Sequence, residues 1–334
     1  MYRLLFEHHI PFEIVNEAGV QRGNLEDYKI LVIPDVMSLA DDTVEAIQSA
    51  VGNGLGLVAT YMTGFVDGKG QQRQQPALAD IFGIEFEDII AHDTSAGITY
   101  DSALNVPDID GSMFYYGSAR TEHPLAQELP EKSLFSFQGS FVICRCSPES
   151  QIIADIHAID QVRLSSRPYN RRGHYPGQPR WPLAIVREYG NARVAYFAPQ
   201  AEAEWRRAHA PELDSLLVRS ILWAGGPSPL ETPDCPKSVE VRLFHSPKRQ
   251  MFQILLVNLT TNSLVRVGGG PGVIRYVTPH KRLHLCLRID KKVTNVQSQI
   301  GSEVHHRVNG NILEIELPLL KLYDSLLVEY RVGK

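Results

Sequence analysis

The turn Tyr61-Met62-Thr63-Gly64 follows a run, Leu55-Gly56-Leu57-Val58-Ala59-Thr60, that reads as a buried strand. Open α/β sheets place their reactive groups at the carboxyl ends of such strands. A Cys in this turn would be the nucleophile of an acyl-transfer site, but the first Cys in the chain is Cys144. Thr60 offers only a hydroxyl, a far poorer nucleophile unless a base activates it. The best carboxylate cluster lies after another strand end: Glu202 and Glu204, with Trp205, Arg206, Arg207 and His209. Surface or interface polarity is the expected use of these groups. Asp35, behind Ile33-Pro34, reads as loop polarity.

The remaining reactive side chains point to packing. Cys144 and Cys146 are two apart in a strand and share one face, but no nearby Cys or His pair completes a metal site. His8 and His9 project about 100° apart on a helix, which is poor ligand geometry. His305 and His306 alternate across a strand. A polar loop over residues 163–182 carries Arg163, Arg167, Arg171, Arg172, His174 and Arg180, interleaved with Tyr169, Tyr175 and Trp181. Solvation, an interface and sugar stacking all remain open for it. No catalytic, cofactor or metal residue is assigned.

These groups hang on an α/β front and an all-β back. Tyr28–Pro34 reads as a strand, Asp41–Gly52 as a helix with two acids in its first turn, and Leu55–Thr60 as the next strand in a parallel crossover. Met1–His9 reads as a helix, Pro11–Val15 as a short strand and Pro76–Phe82 as a short helix. Strands are expected over Phe137–Arg145, Gln151–His157, Leu183–Glu188 and Arg193–Phe197. The last two are joined by the hairpin signal Tyr189-Gly190-Asn191, and a helix follows at Glu212–Ala224. The Gly/Pro-rich stretch from Gly225 to Pro236 breaks helix and strand alike. Beyond it come short strands at Val239–Phe244, Phe252–Leu259, Val273–Val277, Leu283–Ile289, Ile312–Leu317 and Ser325–Tyr330. The expected domains are residues 1–226, flavodoxin-like in three layers, and 237–334, a β-sandwich. A doubly wound sheet normally begins on a strand. A chain that begins on a helix reads as truncated at its front, leaving an open edge near Ile14 or Ile30.

Composition sets the outer limits. The chain has 334 residues, is 43% hydrophobic and 21% charged, and carries a net charge of -5. That mild acidity gives no footing for nucleic acid. No apolar run approaches the roughly 20 residues of a membrane helix. The N-terminus lacks the pattern of a signal peptide, and four Cys form no disulfide scaffold, so a cytoplasmic location is expected.

Three stretches resemble a known family: Tyr28–Gly64 with its Asn53-Gly54-Leu55-Gly56-Leu57-Val58-Ala59-Thr60, then Glu188–Phe197, then Leu256-Val257-Asn258-Leu259-Thr260. They are similar to the C-terminal half of bacterial glycoside hydrolases related to the family 42 β-galactosidases. In that family a catalytic TIM barrel precedes a domain resembling the class I glutamine amidotransferases, the β-galactosidase trimerisation domain, and a small β domain closes the chain. The resemblance puts the amidotransferase Cys in the turn Ala59-Thr60-Tyr61-Met62, its His at Ala198 and its Glu at Gln200. All three roles are lost, which implies no amidotransferase activity. The barrel with its two carboxylates is absent, so no glycosidase residue carries over.

The expected function is therefore a non-catalytic oligomerisation and accessory region of a β-galactosidase-like hydrolase in carbohydrate metabolism. It would be a homo-oligomer, as in a trimer, or would associate with a TIM-barrel partner. Two rivals stay open. One is an independent or partner-dependent glycosidase or divergent amidotransferase-like hydrolase. The other is a carbohydrate-binding module on the sandwich.

Overall fold

The computed structural model describes all residues except 24, 94–97, 102–105, 108–114, 128, 131–133, 138, 164–171, 209, 261–263, 266–272, 275–276 and 332–334. It gives backbone only for 91–93, 98–101, 106–107, 137, 158–163, 172–176, 204, 206–208, 264–265 and 273–274. Two compact units emerge: Val15–Pro227, and Met1–Ile14 together with Ser228–Lys334.

The larger unit is built on a seven-stranded mixed sheet. Its order is Ile30–Pro34, Gly56–Thr60, Ala192–Phe197, Arg172–Tyr189, Gln151–Arg163, Tyr115–Ala119 and Leu134–Phe137. The first three strands are parallel and the others pair antiparallel. The parallel strands are near-continuous apolar runs because both of their faces are covered. Gly56–Thr60 is buried at every position. The helix Asp41–Gly52 buries Val44, Ile47 and Val51, one stripe of a 3.6-residue period, with Asp41 and Asp42 at its positive end. The helix Pro211–Gly225 buries Leu213, Leu216, Leu217 and Ile221. Gly83, in the left-handed region, stops the short helix Ala79–Phe82. A separate four-stranded sheet contains Ile84–Asp93 and Phe141–Cys146.

Two expectations need correction here. The polar loop over residues 163–182 is largely strand: Arg172–Tyr189 pairs with Gln151–Arg163, Tyr175 lying opposite Asp160 and Trp181 opposite Ile156. Pro176, Gly177 and Pro179 disguised it, because such residues normally interrupt strands. Here they sit at register shifts, where a missing N–H does no harm. Arg167, Tyr169 and Arg171 lie outside the described residues, and Arg180 stacks over Trp181 with 4.5 Å to the ring centroid. The expected strand Pro11–Val15 has no regular structure. No described strand pairs with it, and a strand without a ladder does not persist. Ile14 is 77% exposed.

The smaller unit is a sandwich of two four-stranded sheets. One runs Leu230–Glu231, His280–Arg288, Ile312–Leu320, His305–Asn309, and the other Val239–Ser246, Met251–Asn258, Tyr323–Arg331, Lys292–Ser298. Alternate residues meet inside: Leu283, Leu285 and Leu287 with Leu313, Ile315 and Leu317 from one sheet, Ile254, Leu256, Leu326 and Val328 from the other. The helix Tyr2–Glu7 belongs to this unit. His9 contacts Thr232 Oγ1 at 2.6 Å through Nδ1 and the Val239 carbonyl at 2.9 Å through Nε2. A carbonyl only accepts, so Nε2 carries a proton. Burial pushes its pKa down. His9 is thus a packing residue, and Arg242 lies over Tyr2 and Phe12, 5.5 and 4.9 Å from the two ring centroids.

Candidate functional site

The carboxyl ends of the three parallel strands bring one polar cluster together. Asp35 follows Ile30–Pro34, Thr60 and Tyr61 end Gly56–Thr60, and Gln200 and Glu202 follow Ala192–Phe197. Asp35 and Tyr61 both hold positive φ, 48° and 46°, a conformation that non-glycine residues rarely adopt. Each is fixed by its neighbours. The Tyr61 N–H donates to the Phe197 carbonyl at 2.7 Å, and the buried Tyr196 hydroxyl donates to the Tyr61 carbonyl at 2.7 Å. The Asp35 N–H donates to Thr60 Oγ1 at 2.9 Å, and that hydroxyl donates to Glu202 Oε1 at 3.1 Å. Gln200 Nε2 donates to Asp35 Oδ2 at 3.0 Å, and the Met62 amide lies beside the same carboxylate. The Tyr61 phenol bonds the side chain of Ser140.

The electrostatics follow from burial. Asp35 Oδ1 and Glu202 Oε2 are buried without a hydrogen-bond partner. Removal from water pushes both carboxyls above the ordinary range, against the lowering effect of the Gln200 and Met62 donors on Asp35 and of Thr60 on Glu202. Burial likewise raises the Tyr61 and Tyr196 phenols.

The strained corner sits at Tyr61, one residue beyond Thr60. Thr60 points inward and is wholly buried, as is Ala198. Of the group around Glu202, the cluster takes in Glu202 alone. The Trp205 indole N–H donates to Asp214 Oδ1 at 2.7 Å and pins two helices together. The side chains of Glu204, Arg206 and Arg207, and all of His209, lie outside the described residues. Asp35 is no mere loop polarity, since its carboxylate ties two strand ends together. Cys144 is buried and its thiol is pushed well up, while Cys146 is raised to about 11. Neither thiol is activated. His305 and His306 are exposed on an edge strand.

A second polar group lies on the antiparallel side of the sheet. Ser118 Oγ is 2.7 Å from His157 Nε2, and His157 Nδ1 is 2.8 Å from the Gly177 carbonyl, which the bulge turns inward. The carbonyl fixes the proton on Nδ1, so Nε2 accepts from Ser118. Arg120 grips Asp155 through Nε and Nη2 at 2.7 and 2.8 Å. Ser118 thus has the geometry of a nucleophile with its base. Its strand, however, is paired on both sides, Ser118 with Leu134 and with Asp155. Among the described residues, the amides around it belong to these ladders and leave no donor for an oxyanion. These contacts lock the strands together.

The relatives can now be set against this geometry. Residues 1–105 match the family described as the β-galactosidase trimerisation domain. That stretch is a region like one in the family 42 β-galactosidases. It contains the first two parallel strands and the Tyr61 corner. The β-galactosidase GanA of Bacillus subtilis (strain 168) is 30% identical over 87 residues, 25% of this chain and 12% of that protein. Among solved structures, the α-L-fucosidase isoenzyme 2 from Paenibacillus thiaminolyticus superposes with a TM-score of 0.70 at 14% identity, over 99% of this chain and 44% of that one. A β-galactosidase from Bacillus circulans sp. alkalophilus gives 0.58 at 13% identity, over 98% and 36%. At these identities the structures show a shared fold. The chain spans less than half the length of each of these relatives.

Proposed function

We propose that this chain is a non-catalytic oligomerisation and accessory region of a β-galactosidase-like glycoside hydrolase in carbohydrate metabolism. Its α/β unit derives from a flavodoxin-like, class I amidotransferase-like domain. The observation that carries this reading is the Tyr61 corner. An acyl-transfer elbow needs a nucleophile on the strained residue and a free amide on the next one to receive the oxyanion. Here the strained residue bears a phenol with a raised pKa, and the Asp35 carboxylate lies beside the Met62 amide. The hydroxyl beside a base at this corner, Thr60 next to Glu202, is fully buried, so no substrate carbon reaches it. Ala198 takes the place where the resemblance puts a base. What remains is a tied-off strand end suited to holding a rigid surface.

The family's description as a trimerisation domain supports association as the use of that surface. Sedimentation velocity of the purified chain at micromolar concentration tests it. A species of two or more 37.4 kDa chains is expected. A single 37.4 kDa species over the whole concentration range would remove association from the proposal.

A further inference from the structure

We propose that the outer face of the sandwich binds a zinc ion through His284, Glu316 and His305, with Asp234 holding His284 in place. The proposal does not depend on the association reading above.

The three residues form one row across three strands. His284 of His280–Arg288 lies opposite Glu316 of Ile312–Leu320, and Glu316 lies opposite His305 of His305–Asn309. Directly opposed residues share a face of the sheet, with Cβ atoms about 4.5–5.5 Å apart. Leu283, Leu285, Ile315 and Leu317 take the inner side, so this row faces out. Both imidazoles are therefore within reach of the carboxylate between them.

The charges around the row are unevenly met. Arg288 takes Glu231 and Arg307 takes Glu314. Among the described residues no Lys or Arg pairs with Asp234, Glu303 or Glu316, whose near partners are imidazoles. Three carboxylates share two histidines.

The contacts of His284 carry the argument. Its Nδ1 lies 3.2 Å from Asp234 Oδ2, and its Nε2 lies 3.7 Å from Glu316 Oε2. A carboxylate accepts, so Asp234 favours the tautomer with the proton on Nδ1. In that tautomer Nε2 turns a lone pair toward Glu316, and two acceptors face each other. At 3.7 Å they are too far apart for a direct hydrogen bond. Two ligand atoms on a tetrahedral zinc ion, each about 2.1 Å from the metal, stand about 3.4 Å apart, close to this spacing. A ligating histidine commonly donates its other N–H to a carboxylate, the part Asp234 plays here. Imidazole with carboxylate suits zinc, whereas magnesium and calcium take oxygen ligands.

His305 supplies the third ligand. No three ligating groups are gathered in advance among the described residues. The His305 ring is exposed, with Nε2 3.4 Å from Glu303 Oε1. Exposed side chains change rotamer within nanoseconds, so an ion on His284 and Glu316 can draw the ring over. Cys286, one row along, faces Glu231 and Glu314. Burial and those two acids raise its thiol, so it offers no thiolate. The ion would clip the exposed edge strand His305–Asn309 to the two strands beyond it.

The test is a zinc(II) titration of the full chain, first stripped with a chelator, in competition with a chromophoric chelator. One equivalent should bind at micromolar zinc. His284→Ala and His305→Ala should each weaken binding by about tenfold or more, and Asp234→Asn by about 10–100-fold. Glu314→Gln, in the next row and already held by Arg307, should leave the affinity unchanged. Far-UV circular dichroism of the ion-free variants checks that they fold. Imidazole resonances of the unaltered chain give a readout that needs no folded variant. Two histidines should shift together and saturate at one equivalent of zinc, with no such change in magnesium. No binding at micromolar zinc, or binding that survives both His284→Ala and His305→Ala, overturns the site. Binding lost in His284→Ala and unchanged in His305→Ala overturns the coordination across three strands.

Discussion

Gly56→Ala should destabilise the larger unit by about 2–3 kcal/mol, the cost of forcing extra volume into a packed interior. A Cβ at Gly56 would lie 2.3 Å from the Ala224 carbonyl oxygen, 2.7 Å from its carbon and 3.2 Å from the Lys29 carbonyl oxygen. All three are backbone atoms, so no side chain can swing aside. The end of the helix Pro211–Gly225 and the start of the central strand must move apart, and both belong to the core that holds the polar cluster. The matched control is Gly52→Ala. Nothing lies within 4 Å of a Cβ there, and the residue ends the helix Asp41–Gly52. Gly costs a helix roughly 0.5–1 kcal/mol relative to Ala, so this variant should be neutral to slightly stabilising. Denaturant midpoints, with far-UV circular dichroism to check that both variants fold, decide the matter. Equal midpoints for the two variants would show that the helix end does not press on Gly56.

The second large effect is expected at Tyr196. Its ring is fully buried and stacked on Phe82 with centroids 4.9 Å apart, and its hydroxyl anchors the Tyr61 carbonyl. Tyr196→Ala should cost about 3–5 kcal/mol through the cavity it leaves. Tyr196→Phe keeps the ring, loses only the hydrogen bond and should cost about 1–3 kcal/mol, since the Tyr61 carbonyl is then buried without this donor. The same denaturation experiment separates the two contributions. A Phe variant as stable as the unaltered chain would mean that the corner at Tyr61 holds without its anchor.

Much of the scaffold was legible in the sequence where local and global demands agree. Asp41–Gly52 combined acids at its start, an apolar stripe and a Gly-Asn-Gly stop, and the helix formed with those bounds. Tyr189-Gly190-Asn191 announced a hairpin, and Gly190 takes the positive φ the turn requires. The strand behind Pro176, Gly177 and Pro179 was not legible, because its prolines sit at register shifts that only the partner strand reveals. Lys292–Ser298 escaped for another reason. It is an edge strand with Val296 its one buried residue, too little of a buried face to imprint a period.

The candidate site was legible only in part. The importance of the turn after Thr60 could be read from its place at a strand end. The role of Tyr61 could not, because a positive φ leaves no mark on a non-glycine residue type. Asp35 and Gln200 lie far apart in sequence and meet only because the strands ending beside them flank the same central strand. Pro34-Asp35 at the end of an apolar run was the one available hint.

The account turns on a strand end that is tied off rather than reactive. It is tested most directly by incubating the highly purified chain with an aryl β-galactoside and, separately, with glutamine, and following nitrophenol and ammonia release. No release above the buffer rate is predicted for either. Turnover by the unaltered chain that disappears in Glu202→Gln or Thr60→Val, both still folded, would contradict it.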